Sequence, residues 1–543
     1  MATSSIVNAG PTVPLQVLAG VAEAVQWLQA HGVRDIQCDS RRVRSGDAFI
    51  AWPGFATDGR RFVISALETG ASACLVEADG LSSGGWAFSW PTDRVAAVSG
   101  LKAVTGPLAA AFYRHPSRDV QVVAVTGTNG KTSTAWWLAQ ALAAADCPCG
   151  VMGTLGVGLP GPAADPLRDM QATGLTTPDP VAVQRALRGW ADAGVRTAAL
   201  EASSIGLVEQ RLAGTSLAVA VFTNFTQDHL DYHGSMAEYW AAKRALFDWP
   251  GLQAAVVNID DAHGQTLAEE LAQQSPPLSL WTVSLRSGQG ARLSCVQWQV
   301  TAGGMRMVVE EEGSGSVTLE APLIGDHNVA NVLGVMAALR ALGVRLTEAA
   351  RACAQLGAVP GRMDQVNGLL DAAGVDLPLV VVDYAHTPDA VDKALHALRP
   401  VAVARGGQLH CIVGCGGDRD AAKRPLMAAL AEAGADGLCL TSDNPRSEDP
   451  DAILAQMVAG LRQPERALVV PDRAQAIASR VAQAAVADVV LIAGKGHETT
   501  QEVAGVKHPF SDQAHALAAL QARCVAPPSL SHALYTGSVE PSA

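Results

Sequence analysis

A lysine and two hydroxyl residues set among glycines, Thr126-Gly127-Thr128-Asn129-Gly130-Lys131-Thr132-Ser133, are the residues best suited to chemistry in this chain. Glycines in such a run let backbone N–H groups curl around phosphate oxygens, the Lys131 ammonium supplies charge, and the Thr132 hydroxyl can ligate Mg²⁺. The glycine spacing is shorter than in the common G-x-x-x-x-G-K-[ST] loop. Two further clusters could complete a metal site, Glu201-Ala202-Ser203-Ser204 and the stretch from Asn224 through Asp228, His229 and Asp231 to His233. Each follows an apolar run, and ligands in α/β sheets sit at strand C-terminal ends, so Glu201 and His229 are expected to face the phosphate loop. Taken singly, such an acid or histidine is more often solvated or a satisfied core residue. Lys243, in a helical stretch whose apolar face holds Trp240, Leu246 and Phe247, reads alone as a solvent-facing lysine. Asp443-Asn444-Pro445-Arg446, read alone, is a turn ending in a solvated arginine.

The elements that must position these residues have an α/β rhythm. Val120–Val125 is a buried-strand pattern, Thr126–Lys131 a glycine turn and Thr132–Ala145 a helix, the order of a phosphate-binding nucleotide domain. Buried strands are expected again at Thr197–Leu200, Ala218–Phe222 and Ala254–Val257, giving a mostly parallel central sheet, with a hairpin or surface excursion at Gly303–Gly315. Before this lies a small α/β segment with strands at Ala48–Trp52 and Ala73–Val76. After Pro360-Gly361, strands at Leu379–Val382, Leu409–Val413, Gly437–Thr441 and Val489–Ala493 alternate with Ala-rich helices in a Rossmann-like third unit. The expected domains are residues 1–115, 116–358 and 359–524, with 525–543 a flexible tail.

Composition narrows the function. A chain of 543 residues is too long for one core, and 49% hydrophobic with 17% charged residues describes an ordinary globular protein. A net charge of −13 speaks against a nucleic-acid surface, so an anionic ligand must be met by local basic groups. Ten scattered cysteines form no disulfide framework and read as reduced thiols. Met1–Pro14 lacks the basic and apolar pattern of a signal peptide, and no apolar run approaches the roughly 20 residues of a membrane span. A cytoplasmic monomer acting on small molecules is expected.

The T-G-T-N-G-K-T loop resembles that of the Mur ligases, and the likeness to the MurE branch of that family runs almost the whole chain. It is carried by Asp39-Ser40-Arg41, Gly46–Phe49, Pro53-Gly54, Asp58-Gly59, Thr176-Thr177-Pro178, Glu201–Ser204, Arg211, Phe222–Asn224 and Asp228–Gly234. Gly325–Asn328 with Asn331, Gly361–Met363, Asp383–Asp389, Gly416–Asp420, Asp443–Arg446 and Gly494–Glu498 continue it in the family's order. The resemblance implies three domains, binding a UDP-sugar, ATP and an amino acid, whose closure excludes water from a reactive intermediate. It implies a ligase that extends a UDP-linked cell-wall peptide with ATP and Mg²⁺ in the cytoplasm. Ser40 would contact uridine, and Thr176, Thr177, Ser203, Glu209 and Arg211 the rest of the sugar nucleotide. Asn331, Arg362 and Asp383 would contact the adenine and ribose of ATP. Lys243 falls where the family carries an N-carboxylated lysine, able to bind Mg²⁺ beside Thr132, Glu201 and His229.

The D-N-P-R run resembles the signature of members adding meso-2,6-diaminopimelate. A guanidinium can grip that amino acid's second carboxylate through two charge-assisted hydrogen bonds, and lysine offers no such group. Arg419, Asp443, Asn444, Pro445, Arg446, Gly494 and Glu498 would hold it. The chain departs from many members at Leu175, Ile205, Glu209 and Phe55-Ala56-Thr57, and no role is given to Ile205. A lysine-adding ligase, a folylpolyglutamate-type or cyanophycin-type ligase, and a non-catalytic scaffold on the same fold are the alternatives.

Overall fold

The computed structural model describes residues 15–54, 57–81, 90–161, 166–275, 277–301, 304–366 and 377–525. Phe55 and Ala56, Gly303, residues 1–14 and the expected tail from 526 onward lie outside them, while Val525 closes the helix Asp512–Val525.

The chain folds as α/β layers in two compact units. The described residues up to Leu323 with His327–Gly357 form one, and Ile324–Asp326 with those from Ala358 onward the other. The first two expected domains thus share a unit, because their helices are welded together. Leu101–Phe112 packs on Pro180–Asp192, and a Cβ on Gly106 would lie 2.1 Å from the Ala213 carbonyl oxygen. Arg185 meanwhile reaches back to Asp35 at 3.1 Å.

Among the described residues the first unit holds two sheets. The smaller is parallel, in the order Gln16–Leu18, Val95–Val98, Ala73–Glu77, Asp47–Ala51, Asp35–Gln37. In the larger, Gln121–Thr126 lies between Val219–Phe222 and Thr197–Glu201, all parallel, in register from Val123↔Val219 to Thr126↔Phe222 and from Gln121↔Thr197 to Val125↔Glu201. Their interiors are Val, Ala, Leu and Phe, buried on both faces as a covered parallel sheet requires. Consequently Thr126, Glu201 and Phe222 end side by side. The loops that follow carry the candidate residues to one edge. The excursion expected at Gly303–Gly315 is part of an antiparallel meander, Leu293–Thr301, Gly304–Glu311 and Gly315–Ala321, at the far end of this sheet.

The second unit has a six-stranded sheet, ordered Asp364–Gln365, Leu379–Asp383, Val489–Ala493, Leu409–Val413, Gly437–Leu440, Leu468–Val469, parallel except at its first edge. Its core is the apolar face shared by these strands with Pro388–Arg405 and Lys423–Gly434 on one side and Arg473–Gln483 on the other. Thr387 caps the first of those helices by accepting from the Ala390 N–H, with Pro388 at the position where a missing N–H costs nothing. Among the described residues no helix is long and apolar enough to cross a membrane, and all ten cysteines are free thiols.

Candidate active site

The phosphate loop is latched by the strand beside it. The Thr128 N–H donates to the Asn224 carbonyl (2.9 Å), the Asn129 N–H to Asn224 Oδ1 (2.9 Å), and the Thr223 hydroxyl to the Asn129 carbonyl (2.6 Å). Two of the amides expected to cradle phosphate therefore hold the loop in shape instead. What remains for an anion is the start of helix Lys131–Ala144, which no side chain caps and which begins after Gly130 at φ 84°. Lys131 Nζ donates to the Gly127 and Thr128 carbonyls, each at 2.9 Å, folding its charge over the loop. Gly127 is obligatory: its φ is 143° and a Cβ would sit 1.9 Å from Thr223 Oγ1. Ser133 is buried in the helix's first turn, and Asn331 stands against Gly130, with its Nδ2 donating to Asn328 Oδ1 at 3.2 Å.

Thr132 Oγ1 donates to Glu201 Oε2 at 2.9 Å, and Glu201 Oε1 accepts from the Thr154 N–H at 2.7 Å. A hydroxyl and a buried carboxylate are hard oxygen donors of the kind Mg²⁺ takes. Among the described residues no three His, Cys, Asp or Glu side chains gather as a metal site, so a further anionic donor would have to come from elsewhere. Lys243, from which such a donor was expected, reaches the phosphate loop. Contrary to a solvent-facing reading it is 1% exposed, with Nζ donating to the Gly127 carbonyl (2.8 Å) and lying 4.4 Å from the centre of the Tyr239 ring. Burial, with the Lys131 charge nearby, pulls its pKa well below the ordinary lysine value, so the amine loses its proton readily. His229, in the left-handed region at φ 52°, is held below its usual pKa by burial, Asp228 opposing and Lys131 and Lys243 adding to the effect. Tyr239, to which no role was given, joins these groups through a 3.2 Å contact between its hydroxyl and Thr128 Oγ1.

A second group forms one step along the same sheet edge. The Thr177 hydroxyl donates to the Glu201 carbonyl (2.7 Å), lies 3.0 Å from Ser203 Oγ, and accepts from the Ser203 N–H (3.0 Å). Arg211 Nη1 donates to the Thr177 carbonyl at 3.0 Å, and Thr176 meets Thr154 at 3.3 Å. Glu209 pairs with Lys102 at 2.6 Å and accepts from the Tyr232 hydroxyl at 2.7 Å; these hold it below the usual carboxylate pKa against partial burial. Ser40 opens a short 3-10 turn capped by Asp39, and burial with the Asp179 charge raises the pKa of the Cys38 thiol just before it.

In the second unit, Arg362 lies 4.5 Å over the Tyr384 ring, and Asp383, raised by burial, accepts from the Met363 N–H at 2.7 Å. The Asp443–Arg446 turn is built into a charged pocket. Asn444 Nδ2 donates to Glu498 Oε2 at 2.8 Å, and Arg446, at φ 51°, donates from Nη1 to the Gly417 carbonyl at 2.6 Å. Arg446 is therefore half-buried and anchored. Gly494, at φ 124°, passes so close that a Cβ would be 2.3 Å from Asp443 Oδ2. Arg419 is exposed, its Nη1 donating to the Asp418 carbonyl at 3.1 Å, and Pro445 is buried. Beneath them Arg473 and Asp512 form an ion pair at 2.7 Å with no exposure on either side chain. Asp443 is raised by burial, whereas Glu498 is lowered against burial by Lys495 and Asn444. Lys495 and Arg473 were not singled out, since nothing local distinguishes a buried cation from a surface one.

A phosphate loop at the strand ends of one α/β unit and a charged pocket at those of a Rossmann-like second unit define an ATP-dependent ligase fold. Comparison with known proteins agrees. Residues 125–339 match the Mur ligase middle domain, 361–496 the glutamate ligase domain and 32–112 the Mur ligase family catalytic domain. The chain belongs to the Mur ligase family, whose three-domain α/β architecture it has. It is 54% identical over 516 residues, 94% of this chain and 99% of the relative, to UDP-N-acetylmuramoyl-L-alanyl-D-glutamate--2,6-diaminopimelate ligase of Acidovorax sp. (strain JS42). It is 46% identical over 492 residues, 90% of this chain and 95% of the relative, to the Pseudomonas aeruginosa enzyme of that name. A solved structure of a ligase of that name is 34% identical, with a TM-score of 0.61, covering 91% of this chain and 96% of its own. MurF ligase from Thermotoga maritima, solved with ADP, shares the fold at 18% identity and a TM-score of 0.60, covering 91% and 98%.

Proposed function

We propose that this protein joins meso-2,6-diaminopimelate to UDP-N-acetylmuramoyl-L-alanyl-D-glutamate at the expense of ATP, in the cytoplasm. A carboxylate does not react with an amine at neutral pH, because oxide would have to leave. The D-glutamate γ-carboxylate therefore attacks the γ-phosphorus of ATP in line, releasing ADP and leaving an acyl phosphate. Lys131 offsets the charge that develops on the transferring group, and the uncapped helix start beyond Gly130 holds the phosphates. Mg²⁺, when bound, would neutralise phosphate charge, held by Thr132 and Glu201 and, for a second ion, by Glu201, His229 and an N-carboxylated Lys243. The readily deprotonated Lys243 amine is the form that adds carbon dioxide. Asn331, Arg362 and Asp383 take the adenine and ribose side. Ser40, Thr176, Thr177, Ser203, Glu209 and Arg211 hold the sugar nucleotide.

The diaminopimelate amine then attacks the acyl carbon, and the tetrahedral intermediate expels phosphate. Arg446, Asn444, Arg419 and Glu498 hold the amino acid, with Asp443, Pro445 and Gly494 shaping the turn. The observation that carries this reading is one turn, Asp443–Arg446, that bears an anchored guanidinium at Arg446 and, through Asn444, holds the Glu498 carboxylate, a match for the carboxylate and ammonium of the amino acid's distal centre. Purified protein given ATP, Mg²⁺, the UDP-muramoyl dipeptide and a panel of diamino acids should release ADP and form the diaminopimelate tripeptide, read by mass. Incorporation of lysine in preference, or no product at all, would overturn it.

A further inference from the structure

Lys495 lies at the centre of the amino-acid pocket and carries no assigned role. It is 0% exposed. Its Nζ donates to Asn444 Oδ1 at 3.0 Å and to Glu498 Oε2 at 2.7 Å. Asn444 Oδ1 also accepts from the Glu502 N–H at 3.0 Å, while its Nδ2 donates to Glu498 Oε2 at 2.8 Å. With two donors on one atom of the amide and an acceptor on the other, the Asn444 side chain has one orientation only. Glu498 Oε2 is filled by two charge-assisted or polar donors. The carboxylate stays 30% exposed, and Oε1 accepts no hydrogen bond from any described residue.

We infer that Lys495 is a positioning residue: it clamps Asn444 and one oxygen of Glu498 so that the other oxygen is presented, ionised, to the ammonium group of the incoming amino acid. The charge balance of the pocket requires such a group. Buried Asp443 has its proton affinity raised further by Glu498, and the Arg473 cation that works against this is also paired with Asp512. Lys495 is the main influence that holds Glu498 down against its burial, so without it Glu498 takes up a proton more easily, and a protonated Glu498 does not attract an ammonium. Neutral Asn444 could then turn its amide over.

This rests on the proposed amino-acid-adding reaction, and it is tested with whichever diamino acid the unaltered enzyme incorporates, so a wrong substrate assignment shows in that enzyme alone. Lys495→Met should raise KM for the amino acid about tenfold or more, the scale of a lost charged hydrogen-bond set, with KM for ATP and for the UDP-muramoyl dipeptide unchanged. The acid limb of kcat/KM for the amino acid should move to higher pH, as Glu498 gains a proton more easily. Adding Lys495→Met to Glu498→Gln should leave the acid limb where Glu498→Gln alone puts it, since the ionisable group that the clamp presents is then gone. The double variant leaves no uncompensated charge and serves if Lys495→Met alone does not fold. Equal rises in all three KM values, an unmoved acid limb in Lys495→Met, or a displaced acid limb on adding Lys495→Met to Glu498→Gln would each overturn the inference.

Discussion

The phosphate loop and the amino-acid pocket solve opposite problems. The loop must hold a highly charged, chemically constant group, and does so with backbone: amides latched by Thr223 and Asn224, glycines at positive φ, and a helix start without a capping side chain. Its two lysines lean on backbone carbonyl oxygens of the loop. The pocket proposed for the amino acid is made instead of side-chain charge: Lys495 with Glu498, Arg473 with Asp512, and Arg446 anchored to Gly417. Binding a fixed shape needs backbone geometry, and choosing between substrates needs placed charges.

The largest effect that would test this contrast is Lys131→Ala. It should reduce ADP release by about a thousandfold or more, because the Lys131 ammonium folded over the loop is the charge proposed to stabilise the transferred phosphoryl group. Near-normal turnover would remove the loop from the chemistry. In the pocket, Arg473→Met should instead act on folding, costing about 3–5 kcal/mol by stranding a fully buried Asp512, read as a lowered denaturant midpoint. A midpoint equal to that of the unaltered protein would mean the ion pair is not part of the pocket's frame.

One substitution made in both regions sharpens the comparison. Gly127→Ala and Gly494→Ala each place a Cβ within 2.3 Å of a neighbour at positive φ, with strain of roughly 1–3 kcal/mol. The first should raise KM for ATP and the second KM for the amino acid, each sparing the other. Crossed effects would dissolve the division of labour. Arg446→Lys should raise KM for diaminopimelate about tenfold, since an ammonium lacks the planar fork, with KM for ATP constant.

The smallest effect concerns Lys243. Burial holds its folded pKa well below the ordinary lysine value, so between the two values the unfolded chain binds a proton that the folded chain lacks. Stability therefore rises with pH across that window and falls as pH drops toward the folded value. Lys243→Met should flatten this slope in melting curves measured in carbon-dioxide-free buffer. An unchanged slope would show that the amine stays charged.

Much of the site was legible in the residues because it is local. A strand followed by a glycine turn and a helix is written in propensity and spacing, and Val120–Val125 with the helix after it formed within a residue of expectation, at Gln121–Thr126 and Lys131–Ala144. Parallel pairing then follows from apolar runs buried on both faces, which brings Thr132 to Glu201. Other features were misread or overlooked for a common reason. The Thr128 and Asn129 amides go to Asn224, 95 residues away in the case of Asn129, and no local pattern announces that partner.

The sequence by itself determined the order of the elements, the loop that meets phosphate and the arginine-bearing turn, since backbone conformation and burial periodicity are properties of neighbouring residues. Only the tertiary structure decided what the two buried lysines meet. Lys243 finds its carbonyl 116 residues away and Lys495 its amide 51 away, and a lysine's charge, solvation and proton affinity depend on what surrounds its last atom, which the chain specifies only once folded.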